Sequence, residues 1–575
     1  MSACTGKTDI PLDKIEHHDR LVAINTDRAR YAPGEQVHYK LQLQEGGQGG
    51  TLHVRYKHLN QLVQSEKLAW RGEPELAWSW QPPAEDYKGY MTEIVLEQSG
   101  SYVDHMNIAV DVSSDWGKFP RYGYLADFGV MTQSEQEAVI ERLTRFRING
   151  IQFYDWQWKH HRPLKLIDGA PAAQWPDIAN RVVSLDTVER YIDLVHSKGM
   201  KAMNYNLLFG AYETAEQDGV QLREWGLFQD PLGGNPDHHP LPSSWASDIV
   251  LLDPSNEAWQ RYLLAAEKTV FEHLAFDGWH VDQLGDRGTL WNSSGERVDL
   301  AGSYAPMLEA AHQELGIELV MNAVGQYAQP YIARSPVKFL YTEVWAGHPS
   351  YRHLQDIVNQ NERFSQGALN TVFAAYMNYN HTDRGGAFNA PGILMTNAVM
   401  FALGAAHLEL GEHMLAKEYF PHRRLTIPDA LEQQLITYYD FLTAYQNVLR
   451  DGLDMTEELE ISSPRIQLSQ TMEQGKVWTL VKRKGRMDIV HLINFSDAVH
   501  MNWNDADATQ AMPRLIEQIE LTVETSRKVS RVWMASPEFN LGSTVELAFK
   551  QDGSALNFTL PKLQVWDMVV MEYKN

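Results

Sequence analysis

Two carboxylates, Asp282 and Glu343, close two apolar runs of the same form. The first run is Phe276-Asp-Gly-Trp-His-Val-Asp282, which continues through Gln-Leu-Gly to Asp286. The second is Val337-Lys-Phe-Leu-Tyr-Thr-Glu343, followed by Val344 and Trp345. In a parallel α/β barrel, catalytic side chains sit on the strand tips at one face. A carboxylate pair in that position, flanked by Trp, suits double displacement at a glycosidic carbon, with one group attacking and the other trading a proton. Alternate residues of a strand share a face, so His280 lies below Asp282 and Asp286 is already in the loop. Glu343 shares its face with Tyr341 and Phe339. A lone strand-end Asp is commonly a turn or capping residue, and a lone Glu there is commonly solvated. Their pairing, and the aromatic surround of Glu343, favour chemistry, because burial raises the pKa of an acid catalyst. Asp282 is the expected nucleophile and Glu343 the expected acid/base.

A second dense cluster is Tyr154-Asp155-Trp156-Gln-Trp158-Lys-His160-His161. Here Asp155 is expected to bond sugar hydroxyls while Tyr154 and Trp156 stack on ring faces. Tyr122, Tyr205, His280, Trp345, Asn378 and Tyr379 complete the expected substrate-binding set. Asn204, Asn206 and Asn322 are further strand-end polar residues; taken singly, such residues more often serve structural hydrogen bonds. Adjacent His160 and His161 point in different directions and have no partner at helical spacing, so no metal site is expected. His238-His239 reads as a solvated loop pair. No cofactor is expected.

These residues require a scaffold. From about residue 120 the pattern is strand, loop, helix, repeated. Eight strands are read at Tyr122–Asp127, Gly150–Asp155, Met200–Asn206, Phe276–Asp282, Ile317–Asn322, Val337–Glu343, Thr371–Asn378 and Gly404–Glu409. Helices are expected at Ser134–Phe146, Leu185–His196, Glu257–Leu274 and Ile393–Leu403. Eight such units make a (β/α)₈ TIM barrel. Its longest loop, Phe209–Ile249, carries Asp237-His-His-Pro240 and Trp245 and is expected to wall the cleft. Before the barrel, period-two runs at Leu21–Asn25, Gln36–Leu43, Thr51–Tyr56 and Met106–Val112 are punctuated by Pro33-Gly34 and Gly46-Gly47. They predict an immunoglobulin-like β-sandwich. After about 455 the period of two returns, predicting a C-terminal antiparallel β-sandwich. The expected organisation is a multidomain chain: a flexible lead (1–14), a β-sandwich (15–116), the barrel (117–453) and a second β-sandwich (454–575).

Composition agrees. The chain has 575 residues, 44% of them hydrophobic, which is ample for several cores. Its net charge of −24 argues against nucleic acid and anionic membranes as partners. Seventeen Trp and 25 Tyr supply both cores and stacking platforms. Cys4 is the only cysteine, so no disulfide forms within the chain. No run approaches the roughly 20 apolar residues of a membrane span, and no signal-peptide core is present. Ser2-Ala3-Cys4 resembles the end of a bacterial lipobox. The expectation is a signal peptide ending at Ala3 in the gene, and a mature protein lipid-anchored through Cys4 at the cell envelope, in the periplasm or outside the cell. The oligomeric state is not legible.

The two motifs, Gly150-Ile-Gln-Phe-Tyr-Asp-Trp-Gln-Trp-Lys-His-His161 and Phe276 to Asp286, followed by Tyr341-Thr-Glu-Val-Trp345, resemble glycoside hydrolase family 66. That family comprises endo-dextranases and cycloisomaltooligosaccharide glucanotransferases. The resemblance spans nearly the whole chain. It implies retaining chemistry on an α-1,6-linked glucan such as dextran, giving isomaltooligosaccharides. It places the family's nucleophile on Asp282 and its acid/base on Glu343. Cyclising members usually carry a carbohydrate-binding module within the barrel. Here the seventh and eighth strands are as close as a plain βα unit allows, so the expectation is a dextranase, with the glucanotransferase as runner-up and a non-catalytic glucan-binding lipoprotein third.

Overall fold

A computed structural model describes residues 10–15, 19–45, 49–456 and 458–574. Cys4, the expected lipid anchor, lies outside the described residues. The centre of the molecule is an eight-stranded parallel sheet. Its strands, in order, are Tyr122–Leu125, Gly150–Phe153, Lys201–Leu207, Gly278–Asp282, Glu318–Val324, Leu340–Glu343, Thr371–Ala374 and Ala406–Leu408. Each pairs in parallel with the next. The two edges approach each other where the Tyr124 amide donates to the Leu410 carbonyl at 3.1 Å, nearly closing the barrel. The strands are buried on both faces, which is why they read as short apolar runs without alternation.

Helices between the strands begin where the sequence offers caps. Thr132 and Glu135 form a capping box at Gln133–Arg145, and Asn256 caps Glu257–His273. Gly316, at φ 66°, ends Leu300–Leu315 in the left-handed conformation that Gly adopts without strain. The long segment after the third strand is not structureless. It forms a small sheet from Gly210–Tyr212, His238–His239 and Ile249–Leu251, so the His238-His239 pair sits on a short strand rather than in a loop.

Two groups of antiparallel sheets flank the barrel. On the N-terminal side, Leu21–Thr26, Val37–Leu43 and Glu75–Trp80 form one sheet. Gln61–Trp70, Gly50–His58, Lys88–Gln98 and Ser101–Val112 form the other. Ile24, Val37, Leu41, Val54, Ile94 and Ile108 from both sheets share one apolar cluster. On the C-terminal side, a seven-stranded sheet built on Val477–Lys484, Met487–Asn494, Val529–Ala535 and Trp566–Tyr573 faces a four-stranded one that includes Ile516–Glu524 and Ala555–Leu563. Between Met487–Asn494 and Ile516–Glu524 the chain leaves these sheets. It runs along the barrel, where the Asn378 amide donates to the Asn504 carbonyl at 2.9 Å and the Tyr351 amide to the Met501 carbonyl at 3.1 Å. Among the described residues, no helix is long and apolar enough to cross a membrane.

Candidate active site

Five consecutive strands each bring one side chain to the barrel mouth. Tyr205 comes from the third, Asp282 from the tip of the fourth, Asn322 from the fifth and Glu343 from the tip of the sixth. Tyr376 lies just beyond the seventh. The parallel register sets Leu207 beside Asp282 and Val324 beside Glu343, and both carboxylates stand at the C-terminal ends of their strands. The Tyr205 hydroxyl donates to Asp282 Oδ2 at 2.6 Å. The Asn322 amide nitrogen donates to Asp282 Oδ1 at 2.9 Å and to Glu343 Oε2 at 3.0 Å. Those two oxygens are therefore no more than the sum of the two bonds, 5.9 Å, apart. The Tyr376 hydroxyl donates to Glu343 Oε1.

The two acids differ electrostatically. Burial pushes Glu343 up to about 7, and the negative charge of Asp282 adds to the shift; the bonds from Tyr376 and Asn322 only partly offset it. Burial also raises Asp282, but hydrogen bonds from Tyr205, Asn322 and the Gln283 backbone favour its ionised form. Burial thus raises both acids, and brings Glu343 to about 7.

The remaining expected residues divide into two groups. Tyr154, Trp345 and Tyr379 are half-buried at the mouth. Tyr154 packs 4.9 Å from Tyr205 and stacks on Phe420 at 4.1 Å. Trp345 lies 5.3 Å from Tyr376, and the Tyr379 hydroxyl donates to Glu418 Oε2 at 2.7 Å. Asp155 is 5% exposed and adopts φ 51°; burial, then Asp177, raises its pKa to about 7. The second group corrects the expectation of sugar contact. Tyr122 is fully buried, with its hydroxyl 3.2 Å from His280 Nδ1. His280, only 1% exposed and pushed down to about 3 by burial, packs among Tyr122, Tyr205 and Tyr341 beneath Asp282. Trp156 is core, donating to Asn204 Oδ1 at 2.8 Å and packing on Trp175 and Phe276. Asn378 is buried, and its amide is spent on Asp505.

Sequence reasoning missed Tyr376 and the segment Glu412–Phe420. Tyr376 was inside a run read as strand, with nothing to mark it off from core. The 412–420 segment has no periodicity to mark it. Trp245, from the long loop, lies 5.0 Å from Tyr419. Among the described residues, no cluster of His, Cys, Asp or Glu fits a metal. His160 bonds Asn206 at 3.0 Å, and His161 bonds Asp218 at 3.0 Å.

The fold and the site together define a barrel enzyme of glycosidase type, built on a carboxylate pair. The chain belongs to glycosyl hydrolase family 66, whose model matches residues 26–570. It is 26% identical to a cycloisomaltooligosaccharide glucanotransferase of Niallia circulans, over 96% of this chain and 72% of the relative. It is 23% identical to a dextranase of Streptococcus salivarius, over 84% and 67%. A solved cycloisomaltooligosaccharide glucanotransferase of Paenibacillus sp., complexed with cycloisomaltoheptaose, superposes with a TM-score of 0.90 at 26% identity, covering 96% of this chain and 99% of that one. The alignment with the Niallia transferase is 703 positions long, more than the 575 residues of the chain, so the transferase carries segments with no counterpart here.

Proposed function

We propose that this protein is a retaining endo-dextranase that cleaves α-1,6-glucosidic bonds to linear isomaltooligosaccharides. The observation that carries the reading is the Asn322 amide bridging Asp282 and Glu343. Retaining glycosidases hold their carboxyls about 5–5.5 Å apart, whereas inverting enzymes need about 6.5–9.5 Å to admit a water. The two facing oxygens, Asp282 Oδ1 and Glu343 Oε2, lie at most 5.9 Å apart, which is compatible with the former.

Asp282 attacks the anomeric carbon as the glycosidic bond breaks, and Glu343 gives its proton to the leaving oxygen. The resulting glycosyl ester on Asp282 is then attacked by water. Glu343, now a carboxylate, takes the water's proton, and Asp282 leaves as a carboxylate. Tyr205 and Asn322 hold Asp282 ionised and aimed. Tyr154, Trp345 and Tyr379 offer aromatic faces at the mouth, and Asp155 a hydrogen-bonding carboxyl.

A second reading, the cyclising glucanotransferase, is favoured by the names of the relatives at 26% identity. The chemistry is shared; what differs is whether water or the chain's own non-reducing end accepts the sugar. A dextran digest followed by product chromatography decides. Linear products support the dextranase, cyclic products the transferase, and no turnover would end both. Dextran is too large to enter a cell, so an extracellular or cell-envelope location, lipid-anchored through Cys4, belongs to the same proposal. Mass spectrometry of the native protein tests it: an unmodified Cys4 on a cytosolic protein would overturn it.

A further inference from the structure

The excursion between Met487–Asn494 and Ile516–Glu524 is tied to the two loops that surround Glu343. On the loop after the sixth strand, the Trp503 indole N–H donates to the His348 carbonyl at 2.6 Å, and the Trp503 amide to the Pro349 carbonyl at 3.2 Å. On the segment after the seventh strand the ties converge on Asn378. Its amide donates to the Asn504 carbonyl at 2.9 Å, its side chain to the Asp505 carbonyl at 2.7 Å, and its side-chain oxygen accepts from the Asn389 amide at 2.8 Å. Asn378 sits at φ 54°, in the left-handed region, which is uncommon outside glycine although Asn is among the residues that enter it.

Asp505 organises these ties. It is fully buried, with φ 40°. Its Oδ1 accepts from the amides of Thr509 and Gln510 at 2.8 and 3.0 Å and faces His500 Nε2 at 3.2 Å. Its Oδ2 accepts from the Asn389 side chain at 2.6 Å. It also packs against the helix Ala390–Ala402: a Cβ at Gly392 would stand 2.4 Å from Oδ2. None of these groups touches the reacting centre. Two residues before Asn378, however, Tyr376 gives its hydroxyl to Glu343, and one residue after it Tyr379 reaches Glu418.

We propose that Asp505, a residue of the C-terminal sheets' excursion, is a positioning residue for Glu343, acting through Asn378 and Tyr376. The proposal rests on the reading of Glu343 as the acid/base. The backbone at Asn378 fixes where the chain leaves the seventh strand, and so where the Tyr376 hydroxyl falls. Displacements of about 1 Å in such a contact cost up to about a hundredfold in rate. The C-terminal sheets are on this view part of the catalytic apparatus and not an appendage.

The test is a cycle of Asp505→Asn, Tyr376→Phe and the double variant, assayed on dextran across pH. Asp505→Asn keeps an oxygen for Thr509 and Gln510 but sets one NH₂ against that of Asn389. The expected result is a kcat lowered about tenfold or more, with KM within about twofold. The alkaline limb should move to higher pH in both single variants, because the lost Tyr376 bond favours the ionised form of Glu343. The double variant should be no worse than Tyr376→Phe alone. Effects that multiply, or an unfolding midpoint lowered with kcat and the alkaline limb unmoved, would overturn the proposal. If Asp505→Asn does not fold, Asn378→Gly tests the same link, since Gly accepts φ 54° without strain and removes the side-chain ties; an unchanged kcat there would equally overturn it. Glu343→Gln assayed alongside separates the two readings. Near-full activity in that variant would end the acid/base assignment, whereas multiplying effects beside an inactive Glu343→Gln would end only the positioning role.

Discussion

Asp282 and Glu343 have the same functional group and different surroundings, and the division of labour proposed for them rests on that difference. Asp282→Asn keeps the shape and the Tyr205 contact but removes the attacking charge, so turnover should fall by at least about ten-thousandfold while glucan binding, measured by calorimetry, persists. Retention of more than a few per cent of activity would move the role to a neighbouring carboxylate such as Asp286, which is exposed in the loop and bonds the Gly288 amide at 2.9 Å. Glu343→Gln should be nearly inactive on dextran yet recover partly on a glycoside with a good leaving group, which needs little protonation. The pH dependence follows from the same environment. With Glu343 as the proposed acid, activity requires its protonated form, so kcat/KM should be lost as pH rises through about 7, the value to which burial brings Glu343. With Asp282 as the proposed nucleophile, the acidic limb should report its ionisation, which burial raises from the usual aspartate value. A profile flat from pH 5 to 9 would contradict the assignment.

The elements explain which residues could be read in advance. A buried parallel strand is an apolar run with a polar tip, and that signature marked Asp282 and Glu343, which do end their strands; Asn322, read as a strand end, lies two residues before the end of Glu318–Val324. Strand parity also placed His280 below Asp282. What parity could not give is depth: Tyr122 and Trp156 have the composition of a sugar platform, but they lie wholly inside, where an aromatic ring with a polar handle finds a partner in His280 or Asn204. The strands Gln61–Trp70, Glu75–Trp80 and Lys88–Gln98 went unread: Gln61–Trp70 is exposed along most of its length and Lys88–Gln98 is buried through its middle, so neither alternates cleanly, while Glu75–Trp80 does alternate but is short. The excursion that reaches the barrel was invisible for a different reason: its contacts join residues more than 100 positions apart. At the element scale, Gly150 is the most constrained position of the second strand. A Cβ there would stand 2.2 Å from the Trp116 ring, which is 1% exposed and donates its indole N–H to Glu318 at 2.5 Å. Gly150→Ala should therefore cost about 1–3 kcal/mol or more through overpacking, read as a lowered midpoint in thermal unfolding. An unchanged midpoint would mean that Trp116 has room to move.

At the scale of the whole molecule, the flanking sheets are joined to the barrel by buried charge as well as by apolar contact. Arg121, which leads into the first barrel strand, donates to Asp111 Oδ2 at 2.6 Å, and both side chains are fully buried. Asp111 ends the last N-terminal strand pair and also accepts from Gln446, beyond the last barrel helix, at 2.9 Å. Arg121 reaches the Arg147 and Phe119 carbonyls as well. One pair thus locks the N-terminal sheets to the start and the end of the barrel. A buried ion pair adds little net stability, because desolvation offsets attraction, but removing one partner leaves an uncompensated charge and costs about 3–5 kcal/mol. Arg121→Met should accordingly lower the unfolding midpoint strongly, while kcat on dextran at 25 °C stays near wild type, since no part of the pair reaches the mouth. Asp111→Leu combined with Arg121→Met should recover part of the loss, because no charge is then left buried; recovery is incomplete because Ser113 and Gln446 also lose an acceptor. The comparison that discriminates is between this pair and Asp505. Both are buried carboxylates joining a flanking sheet to the barrel, yet Asp111 lies under the strands and Asp505 beside their tips. A loss of stability with unchanged kcat at Asp111, against a loss of kcat with a shifted pH limb at Asp505, is the pattern these positions require; equal effects of both kinds at both sites would show that the junctions act only as general supports.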